Sequence, residues 1–596
     1  MIIIIIPWLS NSGYTQVDTT QKDSSRIYQK IESLAKKSKF SDALYQIIFV
    51  SQDDYSRKNN YMNDKNGFYK NAEGKIIRSI NILTYDPFGY LSTDIPRSNE
   101  NKITRMANRL HIKTNRRVVK NLLLFKENDA FDSLSVKESE RLIRQRSFVR
   151  QVAIVPELVS PESDSVDITV WEVDSWSIIP TLSFPKDGTS FELTDQNLVG
   201  LGHELSGGIS SNTFQSSYNI NNFRNTYINA TAFYRLDAYN NRHCGILIDR
   251  PFFSPLTKWA GGIQIGSEIL RESYKLKDSL PSYANKSYNT MDYWAGYSRR
   301  LNASNINVNN RITNFIFTLR HLRQRSAWNM TNSLIGLYPA EKEDFTIAQF
   351  GVSKRKYIRS RYIFNYGFIE DVPVGFEVAA VIGWQQKNEV SRPYLGMKIS
   401  AGQFFRIGHL SAQLDYGSFF QKSGFQEGVL STGLTYFTNI IELGKIKLRQ
   451  FAKVQTSFGL NRSPNEYLSL NQFYRIGETQ NPSLQGYNRV LLTLQTQSYL
   501  PWSILGFRFG PYAVYSLGLI GGNSNKPFDM KGFSQFGLGI LVRNINLVIN
   551  TFQVSVAFFP YLPGSEEGIL QFNPIRSNDF GFRDFGIGKP FIADYK

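Results

Sequence analysis

Arg489-Val490-Leu491-Leu492-Thr493-Leu494-Gln495-Thr496-Gln497 opens a stretch that runs to Phe559 and decides the fold. After a break at Pro501-Trp502 it continues as Phe507 to Gly518, Phe536 to Arg543 and Thr551 to Phe559, with Gly, Pro, Asn and Asp between the segments. Within each segment apolar and polar residues alternate. In the last, Phe552, Val554, Val556 and Phe558 fall on one face and Thr551, Gln553, Ser555 and Ala557 on the other. Strand side chains point to opposite faces with period two, so each segment has one apolar and one polar face. Segments of roughly ten residues of this kind, recurring back to about residue 176, are the signature of a transmembrane β-barrel.

Working outward, composition agrees. Aromatics reach 14%, with 43 Phe and 32 Tyr, yet mean hydropathy is only −0.30. A barrel wall explains both, because each lipid-facing residue is followed by a lumen-facing polar one and aromatic girdles mark the two interfaces. The longest uncharged stretches fall short of the roughly 20 residues of a helical span, which excludes a helical membrane protein. The net charge of +18 does not signal nucleic acid. Basic residues alternate with apolar ones inside strands, as in Lys445-Ile446-Lys447-Leu448-Arg449, instead of forming one stripe. A basic lumen and rim suit anionic lipid head groups.

At 596 residues the chain exceeds one ordinary domain, so two or more units are expected. Cys244 is the single cysteine, which leaves no disulfide framework and no thiolate metal site. There is no Gly-x-Ser-x-Gly elbow, phosphate loop or His-Glu-x-x-His, and the five histidines are scattered, so an enzyme is not expected, nor a cofactor or metal. The carboxylates Asp237, Glu268, Glu377 and Asp415 read as lumen or rim residues.

Residues 1–23 begin with the apolar run Ile2 to Ile6 and read as an export-signal remnant or a disordered terminus. Residues 24–74 read as a helical hairpin and a polar linker. From residue 75 to 174 a compact unit of order β-α-α-β-β is expected. It has a strand at Ile77 to Tyr85, a helix from about Arg116 to Phe125, and a second opening at the capping-box spacing of Ser135 and Glu138. Strands at Phe148 to Val155 and Ser165 to Val173 close it.

This unit, with Glu138-Ser139-Glu140-Arg141-Leu142-Ile143-Arg144 as its second helix and Asp164-Ser165-Val166-Asp167-Ile168-Thr169-Val170 as its last strand, resembles a POTRA domain. That is the periplasmic module preceding the barrel in the BamA/TamA superfamily of outer-membrane assembly proteins. Asn197-Leu198-Val199-Gly200-Leu201-Gly202 resembles the superfamily's early Asn-Leu-x-Gly-x-Gly segment. The resemblance implies an antiparallel transmembrane β-barrel of about 16 strands over residues 175–596, in the bacterial outer membrane, with the N-terminal region in the periplasm. The strand edge of the small unit is a surface for an added peptide strand.

The resemblance also implies a loop folded into the lumen with an Arg-Gly-aromatic motif. In the stretch Leu460 to Tyr487 the candidates are Arg475 with Gly477, and Gln485-Gly486-Tyr487, where Gln485 stands in place of arginine. Gln495 and Ser516 stand near the expected acidic partners on the following strands. The last strand is expected within Asp579 to Pro590, closing against Ser177 to Phe184. The resulting lateral seam carries Ile179 and Phe184 on one side and Phe580, Phe582, Phe585 and Ile587 on the other. Glu272 to Thr290 and Ser326 to Asp344 read as outer loops.

The function implied is an insertase or translocase for unfolded outer-membrane or secreted polypeptides, with outer-membrane lipids and periplasmic or lipoprotein accessory subunits as further partners. Two alternatives stand beside it, a two-partner-secretion-type polypeptide transporter and a plugged passive outer-membrane channel.

Overall fold

The computed structural model describes residues 65–595 except 89–101, 161, 184–189, 275–281, 302–311, 330–339, 365–368, 423, 464–465, 472–481, 505–506, 523–525, 545–551, 562, 564–567, 573–580 and 583. The expected hairpin at 24–50, the terminus at 1–23, and Arg475, Gly477, Phe184 and Phe580 lie outside the described residues.

A small α/β unit comes first. It contains helix α1 (Lys65–Ala72), strand β1 (Ile76–Tyr85), helices α2 (Lys102–Leu110), α3 (Arg116–Lys120) and α4 (Ser133–Arg144), and strands β2 (Val149–Leu158) and β3 (Ser165–Asp174). The sheet order is β1-β3-β2, with β3 parallel to β1 and antiparallel to β2. The inward positions of β3, Val166, Ile168 and Val170, are fully buried against Val136 and Ile143 of α4 and Val119 of α3. Burying each such side chain is worth about 2 kcal/mol.

Two local expectations change. Asp132 caps α4 by accepting from Leu134 N and Ser135 N at 3.1 and 3.2 Å, so the helix starts before Ser135. Glu138 lies inside the helix and binds Arg141, because the aspartate one turn earlier already satisfies the free amides. Part of the expected linker is α1, whose Tyr69 and Ala72, three residues apart, seal the core.

The rest is one large antiparallel sheet whose strand order is cyclic. Ile178–Ser183 and Ile569–Phe572 stand next to each other in the ring. Exposure separates its faces. On Thr313–Asn329, Phe315, Phe317 and Leu319 are 40, 45 and 47% exposed, while Ile316 and Thr318 are 4 and 0% exposed. The same alternation buries Gln349, Glu377, Gln385, Arg392, Arg449 and Gln495 on the inner face. Buried polar groups need partners, and they find them on neighbouring strands along the inner face: Lys398 Nζ lies 2.7 Å from Glu377 on the adjacent strand, and Arg392 forks both Glu427 oxygens at 2.7 Å from one strand further on. Apolar side chains outside and paired polar ones inside reverse the order of a water-soluble protein.

The sheet has more strands than the expected sixteen. The ring contains twenty-two among the described residues, two of which, Ile441–Leu443 and Ser503–Ile504, prolong a neighbour across a break. The extra strands are short and polar, such as Ser190–Leu198 and Phe214–Ile220, and carry too few apolar positions for the alternation to stand out. Much of the two expected outer loops is strand as well. Trp259–Tyr274 and Ser282–Arg300 stay paired from Trp259↔Tyr297 to Tyr274↔Ser282, and Glu341–Arg361 begins inside the second stretch. Residues past the apolar belt keep the ladder without needing apolar side chains. Arg361 ends the strand Glu341–Arg361, and Tyr362 to Phe364 form a bend.

Candidate functional site

The small unit is clamped to one mouth of the barrel. Arg144 of α4 donates twice to Asp371 at 3.0 Å, Arg359 Nη2 donates to Glu140 at 3.0 Å, and Arg141 donates to the Phe253 carbonyl at 2.8 Å. A second contact explains the Asn197 to Gly202 segment. Asn197 Nδ2 donates to Thr114 Oγ1 at 2.8 Å, Asn197 Oδ1 accepts from Gly202 N at 2.8 Å, and Asn115 N donates to Gly200 O at 2.9 Å. A Cβ on Gly200 would lie 2.4 Å from the Lys113 carbonyl, and φ there is +72°, so only glycine fits. Behind this contact Asp174 accepts from His111 Nε2 and Thr114 N at 2.9 Å and from Thr114 Oγ1. Burial beside Asp174 pushes the Glu172 carboxyl well above the usual carboxylate range.

The stretch between Ile446–Leu460 and Asn488–Tyr499 turns inward. Leu468–Ser469 pairs with Gln485–Gly486, and Leu468, Leu470 and Leu484 are buried against Leu491, Tyr512, Val514 and Ile520 of the wall. Of the motif candidates, Gly486 has a steric reason, since its Cβ would lie 2.5 Å from Gly521 N and 2.6 Å from Gly521 Cα. The carbonyl of Tyr487 accepts from Gly459 N at 3.0 Å.

Gln495 and Ser516 face inward, at 3 and 4% exposure, but sit in separate pairs, Gln495 opposite Val514 and Ser516 opposite Thr493. Gln495 Nε2 donates to Gln497 at 3.3 Å, so it holds its own strand and not the loop. Among the described residues neither Gln495 nor Ser516 hydrogen-bonds the loop, and leucines carry its contact with the wall. Among the described residues a side chain of the wall also bonds the loop. Arg489, on the wall, donates from Nη1 to the loop's Ser469 carbonyl at 2.7 Å.

The closing strand requires the largest correction. Ile569–Phe572 stands beside Ile178–Ser183, and Ile179 pairs with Thr194. Phe582, Phe585 and Ile587 are not in a strand; they lie inside the barrel. Phe582 packs at tilted and edge-on angles among Phe364, His409 and Phe437, at 5.1 to 5.9 Å between ring centres. Asp584 Oδ2 accepts from Arg355 Nη1 and Tyr357 OH, both at 2.8 Å, and the Phe585 carbonyl accepts from Ser353 Oγ at 2.5 Å. Ile587 is buried with Phe252, Trp294, Ile316 and Ala379. Lys589 Nζ lies 2.5 Å from Asp292, Phe591 N donates to Gln349 at 3.0 Å, and Ala593 N donates to Tyr394 OH at 2.9 Å. Tyr595 reaches the inward loop, donating to the Tyr487 carbonyl at 2.8 Å with its ring 4.1 Å from the Arg462 guanidinium. The slip of apolar phase between Phe582 and Phe585 marks a strap whose side chains enter different wall clusters. Spacings of three and then two, with Asp584 and Lys589 interleaved, are the signal that was present in the sequence.

No protein-family model matches the chain, and no curated protein sequence matches it. Among solved structures it is similar to CdiB from Acinetobacter baumannii, at 12% identity and TM-score 0.40 over 94% of this chain and 99% of that one. It is also similar to BamA from Haemophilus ducreyi lacking POTRA domains 1-3, at 10% identity and TM-score 0.32 over 84% of each chain. The siderophore receptor PirA from Pseudomonas aeruginosa matches at 9% identity and TM-score 0.28 over 71% of this chain and 77% of that one. At these values the likeness assigns no residue a role, and the functional reading rests on the chain's own contacts.

Proposed function

We propose that this chain is an outer-membrane protein of the BamA/TamA type that inserts or exports polypeptides, with the small unit as a POTRA-like periplasmic domain. One observation carries the reading, the uneven length of the ring's ladders. The wall from Trp259–Tyr274 to Gly424–Thr438 uses strands of 14 to 21 residues. Among the described residues the strands at the closure are shorter, with four residues in Ile569–Phe572, eight in Phe552–Phe559 and six in Ile178–Ser183. Backbone groups in lipid must be paired, so the ring is cheapest to open where fewest pairs are lost, and a nascent strand gains most by joining that edge. The gate is therefore the contact of Ile178–Ser183 with Ile569–Phe572, in place of the seam expected from residues 580–587.

The experiment is photo-crosslinking in cells from probes replacing Ile178 or Leu570, with a probe at Phe350 as control. Client adducts at the first two sites and none at the third support lateral entry. Equal yields at all three, with the barrel folded, refute it. Export through the lumen is the second reading, favoured by the strap itself, since the lumen already accommodates a length of non-strand polypeptide.

A further inference from the structure

Along the inner face of Glu341–Arg361 the strap meets Tyr357 and Arg355 through Asp584, Ser353 through Phe585, Gly351 through Ile587 and Gln349 through Phe591. From Arg355 to Gln349 is about 20 Å of strand, covered by the seven steps from Asp584 to Phe591, so the strap runs close to the ~3.3 Å per residue of extended chain. It enters at the mouth held by α4, where the Arg141 guanidinium lies 4.4 Å from the ring of Tyr357, itself a donor to Asp584.

Two features separate this strap from a wall strand. Among the described residues its backbone bonds to side chains of the wall: Ser353 and Arg320 donate to the Phe585 and Pro590 carbonyls, and Phe591 and Ala593 donate to Gln349 and Tyr394. It is also bordered by open space. A cavity of about 350 Å³ lies between Phe582, Phe585 and the wall at Ser400, Gln413 and Lys453, and one of about 300 Å³ lies beside Gly588 and Lys589. Side-chain partners that face such space can exchange to water, whereas a ladder buried in lipid cannot. The wall is shaped for the strap as well. A Cβ on Gly402 would lie 2.4 Å from the Phe585 ring, and one on Gly351 2.7 Å from Ile587 Cδ1, so glycines form the seats.

We propose that the segment from Gly581 to Tyr595 is a releasable plug, and that the wall beneath it is a binding track for an extended peptide of the same chemistry. Such a peptide carries apolar side chains two and three residues apart, an acid facing Arg355 and Tyr357, and a lysine facing Asp292. The strap is the occupant of the closed state. A client of this pattern competes for the same seats, and the inference holds whether that client leaves by the seam or by the far mouth. Because Tyr357 touches both Arg141 of α4 and Asp584, movement of the small unit loosens the strap at its entry.

The test is conductance in planar bilayers, with the full chain, a chain lacking residues 581–596, and a synthetic peptide of residues 580–596. Heat-modifiable gel mobility checks that each barrel is folded. The full chain is expected to be closed most of the time, and the deletion to raise open time about tenfold or more. Added peptide restores closure, and a scrambled peptide does so at least tenfold more weakly. If the deletion does not fold, the full-length Asp584→Arg variant is expected to open and the double variant Arg355→Asp, Asp584→Arg to close again. A folded deletion as closed as the full chain, equal block by scrambled peptide, or a double variant as open as the single one overturns the proposal.

Discussion

Replacing Gly486 by alanine tests whether the inward loop is docked or merely nearby. The new Cβ would lie 2.5, 2.6 and 2.9 Å from the N, Cα and O atoms of Gly521, all backbone on a paired strand, where ordinary contact begins near 3.4 Å. The wall cannot yield without breaking its ladder, so the pair Leu468–Ser469 and Gln485–Gly486 must lift by roughly 1 Å. Leu468, Leu470 and Leu484 are at 1, 0 and 2% exposure, and burial of each is worth about 2 kcal/mol. A gap of that size forfeits a quarter to a half of close-contact attraction. The docked state therefore loses about 3 kcal/mol, a shift of roughly 150-fold in the docked-to-lifted ratio. The assay is the rate of labelling by a membrane-impermeant maleimide at Leu470→Cys, in a background with Cys244→Ser, with and without Gly486→Ala. Gly207→Ala is the control, since a Cβ there meets nothing within 4 Å. Labelling faster by a factor of ten or more is expected with Gly486→Ala and unchanged labelling with the control. A rate within threefold of the parent would mean that the glycine contact does not hold the loop.

Glu172 has a carboxyl pushed up by burial, so its folded form holds a proton more tightly than the unfolded chain does. The stability this adds is full below the unfolded value near 4.5 and is lost as pH rises through the folded one. Glu172→Gln is therefore expected to unfold later than the parent by a margin that widens from pH 5 to pH 8 in thermal melts; a constant margin refutes the burial argument. Asp371→Asn leaves the Arg144 guanidinium without its bidentate partner at the mouth. The docking of α4 should weaken by about 2 kcal/mol, read as faster protease cleavage between the small unit and the barrel. No change in cleavage would assign the docking to the remaining contacts, Arg359 with Glu140, Arg141 with the Phe253 carbonyl and Asn197 with Thr114. Gly200→Ala meets the Lys113 carbonyl at 2.4 Å and a φ of +72°, and should cost about 2 kcal/mol or more in thermal stability, whereas Gly207→Ala should cost under 1.

The alternation in Arg489 to Phe559 determined by itself that the chain forms strands with one apolar and one polar face, and the inner faces of Asn488–Tyr499 and Phe507–Gly521 are the ones its parity indicates. Period two is a property of the neighbouring residues alone, so it can be read without knowing any partner. The inward loop was legible as a place but not as a contact: the leucines at 468, 470 and 484 and Arg489 looked like ordinary loop and strand residues until the fold set them against Val514 and Ser469. The closing strand, the number of strands and the strap were decided only by tertiary structure. Ile569–Phe572 stands in the ring because its neighbours leave an edge there, while Phe582, Phe585 and Ile587 look strand-like but find burial on the inner wall. Which edge a segment pairs with, or whether it pairs at all, depends on free energy gained from residues up to hundreds of positions away, as between Phe585 and Ser353, and no local periodicity encodes that choice.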